Sequence, residues 1–195
     1  MERQEAAEHL ELVDRILEQS SRRLYVGGEF FVVWGCESAL ISLLFQLLSD
    51  GRISAPWLWL AGAGYAFAVA FTVVRYRQLA VCMERKSWLQ REFLNVLWLA
   101  LGLTFVTQIG AFGLYPGFAG GGLWSFSASF VLFYIGMHGN RAAIVGGMLL
   151  LVSLIVAAFM PAVAGYALAA GMLLGDAGFG VASLLATDER AHRHG

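Results

Sequence analysis

The chain is predicted to be all-α and membrane-embedded: a polytopic bundle of six transmembrane helices behind an N-terminal cytoplasmic amphipathic helix. Three observations carry this. Of 195 residues, 58% are hydrophobic and 14% charged, where a soluble domain carries about 25% charged residues. Six apolar runs recur between turn-forming or charged segments, most of them near the roughly 20 residues that a spanning helix needs. Of thirteen Lys and Arg residues, all but Arg52 fall on connections that six crossings place on one side. That excess marks the cytoplasmic face, so both termini are expected inside.

Residues 1–23 read as the amphipathic helix. Leu10, Val13, Ile16, Leu17 and Leu24 recur at helical spacing. Glu11 with Arg15, and Glu18 with Arg22, stand four apart in the favourable order. Glu2, Glu5, Glu8 and Glu11 would be repelled by anionic lipid. A cytoplasmic protein partner therefore suits the apolar face better than the membrane surface; a solvated helix running into the first span is the plain alternative.

The bundle is expected over 24–187, with spans at about 24–48, 57–74, 93–112, 123–138, 142–159 and 162–186. Ser49 to Pro56 is a turn cluster. Neither glycine nor proline falls between Gly64 and Gly102, so spans two and three are expected to extend beyond the membrane and reverse near Glu84 to Ser87. Arg75, Arg77, Arg85, Lys86 and Arg91 make that connector basic. Leu114 to Gly122 reads as a glycine-rich loop, His138 to Arg141 as a tight link, and Met160-Pro161 as the break before span six. Residues 188–195 form a polar tail.

The deepest charges are the informative ones. Glu37 is predicted roughly 20 Å from the inner end of span one, and Asp176 roughly 15 Å from that of span six. Between Phe93 and Thr187, Arg141 and Asp176 are the only formal charges. A charged side chain at that depth costs on the order of 2.5–3.5 kcal/mol to insert. Two roles fit: a mid-membrane site for a proton, a cation or a small cationic solute, or neutral acids bonded to a neighbouring helix. Glu29, His138 and Arg141 form an inner layer, with Glu29 expected to pair with Arg141 and His138 beside them. An inner gate and simple anchoring of helix ends both suit that layer. Gln46, Asn95 and Gln108 are expected to bond between helices.

Gly171 and Gly175 form a GxxxG pair that either seals span six into the bundle or makes a homo-oligomer face. Membrane lipids are the remaining expected partners. The formal net charge of −1 offers nothing to nucleic acid, and none is expected as a partner.

No cofactor is expected. One membrane histidine cannot hold haem through two imidazoles, and Lys86, the only lysine, lies outside the spans. Cys36 and Cys82 are predicted at different depths, and no metal spacing, HExxH or GxSxG occurs. Ser129 and His138 stand roughly 13 Å apart along span four, too far for a nucleophile–base pair. The chain is therefore expected not to be an enzyme. A transporter or channel-like protein is the leading expectation. The alternative is a non-transporting sensor or assembly subunit that docks its partner through the N-terminal helix and basic loop.

Overall fold

The structure, a computed structural model, describes residues 27–82, 88–112 and 119–191. The N-terminal amphipathic helix, the reversal at Glu84 to Ser87, most of the loop before span four and the last four residues lie outside that set.

All regular structure among the described residues is helical. Helix α1, Gly28–Ser49, ends in a turn where Gly51 takes φ 68°, a left-handed value that favours glycine. A 3₁₀ turn at Ala55–Leu58, with Pro56 near its start, feeds α2, Trp59–Cys82. Helix α3, Trp88–Phe112, and α4, Ala119–Met137, follow. Here the structure corrects the expected loop: Gly120 to Gly122 belong to the first turns of α4. Gly139, at φ 92°, turns the chain from α4 into α5, Arg141–Phe159, and the Asn140 carboxamide oxygen caps α5 by accepting from the Ala143 amide at 3.4 Å.

Met160-Pro161 breaks the chain as expected, and a short 3₁₀ turn at Pro161–Val163 opens the stretch expected as the sixth span. That span is interrupted. Helix α6, Ala164–Gly171, passes into a π-helical segment at Met172–Ala177 and then into α7, Gly178–Ala191. Helix α7 also takes up Asp188 to Ala191, the first part of the expected tail.

Four stretches are long and apolar enough to cross a membrane: Gly28–Ser49, Ala55–Gln78, Arg141–Phe159 and Pro161–Ala186. Asn95–Thr107 and Gly122–Met137 are shorter apolar helices. The polarity is inverted relative to a soluble protein. Phe67, Trp98, Val106 and Leu174 are exposed, whereas Glu37, Gln46, Thr104, Ser125 and Asp176 are buried.

The packing order differs from the chain order. Helix α2 packs on α1, α1 on the sixth span, that span on α5, α5 on α4, and α4 on α3. Leu132, Ile135, Ala143, Leu150, Met172 and Phe179 lie in the core. Helix α3 joins α4 through stacking of Phe93 on Tyr134 and a Thr104–Ser127 hydroxyl hydrogen bond.

Candidate functional site

The site is built on the two faces of α1. One face meets the sixth span almost backbone to backbone. A methyl group on Gly28 would lie 2.6 Å from the Gly180 carbonyl, and one on Gly35 would lie 2.6 Å from the Ala177 amide nitrogen. Phe31 and Phe179 meet edge to face at 5.1 Å. Only small residues allow such an approach. This contact leaves no room for a ligand.

The other face meets α2, and its contacts are different in kind. Phe30 packs against Phe71 at 6.0 Å. The Trp34 indole donates to the Thr72 hydroxyl at 2.9 Å, and its ring meets Tyr65 at 5.7 Å. Glu37 presents its carboxylate to Gly64, where any side chain would collide with it. Glu37 is 6% exposed, and its Oε1 has no hydrogen-bond partner among the described residues. A buried, unbonded carboxylate oxygen is costly, more so in hydrocarbon than in a wet interior.

Asp176 lies in the π-helical segment. Gly175 before it packs on α5, where an added methyl would be 2.6 Å from the Gly146 carbonyl. Ala177 after it packs on α1 at Gly35. Asp176 is also 6% exposed, with Oδ1 unpartnered among the described residues. π-helical turns are rare, and they occur frequently at functional sites because the extra residue re-aims its neighbours.

The structure thus buries both acids but does not place them face to face. Glu37 is two residues from Gly35, and two residues rotate a helix by about 200°. Glu37 faces α2 while Gly35 faces the segment that carries Asp176. The backbone of α1 stands between them.

The inner layer is rearranged. Glu29 pairs with Arg75 of α2, Oε1 to Nε at 3.0 Å, and not with Arg141 as expected. The reason is the hairpin: antiparallel α2 brings Arg75 opposite Glu29, whereas α5 lies beyond the sixth span. Arg75 Nη1 also donates to Gln78 at 3.1 Å. With Phe71 and Val74, these residues line an open groove of about 410 Å³. His138 and Arg141 lie exposed on the α4–α5 link. The His138 Nδ1 sits 2.8 Å from the Tyr134 carbonyl, and the two rings meet at 4.7 Å.

At the opposite end, Gln46 bonds between helices as expected. Its Nε2 donates to the Ala162 carbonyl at 3.0 Å and to Asp50 at 2.9 Å, and its Oε1 accepts from the Gly165 amide at 2.8 Å. Tyr166 donates to Asp50 at 2.8 Å. Gln46 thereby satisfies an amide in the first turn of α6, a position that a helix cannot serve from within.

Gly64 and the π-helical segment are the two features not singled out from the sequence. Gly64 had a signal: folding the hairpin about Ser49 to Pro56 puts Glu37 within about one helical turn of it. Comparison with protein-family models, curated proteins and solved structures finds no match.

Proposed function

We propose that this chain is a small helical membrane transporter or channel-like protein in which Glu37 and Asp176 handle a proton or a small cation at mid-depth. The observation that carries this reading is the pair of buried carboxylates, each with an oxygen that no described group bonds. One lies against a glycine on α2 and the other in a π-helical turn. Transport sites lie near the midplane, often where a spanning helix is interrupted. A proton or bare cation suits the arrangement better than a larger cationic solute, because α1 separates the two acids. The reading carries six crossings with the Arg-rich connections inside, and with them both termini in the cytoplasm.

The test uses the full chain in proteoliposomes loaded with a pH-sensitive dye, under imposed proton, sodium or potassium gradients. Glu37→Gln is expected to reduce the flux at least tenfold while the protein stays folded and monodisperse. Unchanged flux in that variant removes Glu37 from the mechanism.

A further inference from the structure

We propose that the seam between α1 and α2 is the path by which the ion reaches Glu37 from the Arg-rich side, with the Glu29–Arg75–Gln78 groove as its mouth. This inference rests on the reading of Glu37 as an ion site. Polar groups recur along one seam. Glu29 and Arg75 stand at the mouth, Trp34 and Thr72 lie between, and Glu37 rests on Gly64 at the far end. On α1 these steps are five and three residues, roughly 7.5 and 4.5 Å of rise. The Thr72 hydroxyl accepts from Trp34 while donating to the Ala68 carbonyl at 2.8 Å, which puts a hydrogen-bonding oxygen midway.

The opposite face of α1 offers no such path. Its backbone contacts with the sixth span are too close to admit water or an ion. Among the four described stretches long enough to cross a membrane, the one that carries α2 is the least buried. Of the residues in its most apolar 18-residue window 6% are buried, against 50% for the sixth span. Among the described residues its contacts with α1 include a half-exposed ion pair, one indole hydrogen bond and aromatic edges. Contacts of that kind can part and re-form without disturbing the core.

Reactivity of introduced cysteines tests the path without depending on flux. In a full chain carrying Cys36→Ser and Cys82→Ser, single cysteines replace Gln78, Phe71 and Ala68 on the seam. Val69 and Val73, exposed on the other side of α2, serve as lipid-facing controls. A charged, membrane-impermeant thiosulfonate is applied to vesicles of each orientation. The seam cysteines are expected to react at least tenfold faster than the controls, and only from the Arg-rich side. Where Ala68→Cys does not fold, Phe71→Cys carries the test. Seam cysteines no faster than the controls, or reacting only from the opposite side, overturn the path. If Glu37→Gln abolishes flux in that case, the ion site stands and only its access is reassigned. A reactive seam with flux unchanged in Glu37→Gln overturns the path as well, because the crevice then leads to no ion site.

Discussion

Gln46 joins three separate groups, so its loss should be felt widely. Gln46→Leu leaves the Gly165 amide and the Ala162 carbonyl without their partner. Gly165 is half-buried and Ala162 exposed, so the cost is expected at or below the low end of the about 1–3 kcal/mol of an unsatisfied buried group, read as a modest fall in thermal unfolding temperature in detergent. Glu29→Gln should be milder still, since Arg75 is 41% exposed and exposed ion pairs contribute about 0–1 kcal/mol. Wild-type-like stability in Gln46→Leu would show that water replaces the lost bonds. At this scale the sequence was a good guide to burial and a poor one to partners. Glu37 and Asp176 were legible as buried acids because charge is so scarce along the apolar runs. The partner of Glu29 was not, because the sequence puts both Arg75 and Arg141 on expected connections of one side and only the packing order distinguishes them.

The sixth span shows what its glycines do. Gly171 lies against Ser153, and Gly175 against Gly146 and Leu150, all on α5 of the same chain. A dimer through that face would first have to displace α5. Gly175→Ala puts a methyl 2.6 Å from the Gly146 carbonyl and 2.9 Å from Leu150; overpacking of this kind costs about 1–3 kcal/mol. Gly102→Ala is the control, with open space around the new methyl, and it should be neutral or stabilising by about 0.5–1 kcal/mol. Paired thermal melts check both, and equal melts would contradict the close approach. The GxxxG spacing was visible in the sequence, but the π-helical turn was not. MLLGDA carries no local signal that separates the two hydrogen-bonding patterns, and the segment lies between α1 and α5.

For the whole molecule, the apolar runs made the all-helical architecture, with helices apolar enough to cross a membrane, readable. Packing order was not, because lipid-facing and protein-facing apolar residues look alike in a sequence. The proposed orientation predicts that Arg52→Cys, in the same cysteine-free background, reacts with an impermeant reagent from outside intact cells. Reaction only after the cells are opened would invert the topology. The π-helical turn has its own consequence. A rod holding one spare residue can close its amide bonds there in two ways, one step apart. Passing from one to the other swings everything beyond by about 100°, and what lies beyond is the segment whose glycine seats the start of α1. Rewinding Met172–Ala177 would therefore turn Asp176 and unlatch the first turn of α1 in a single movement.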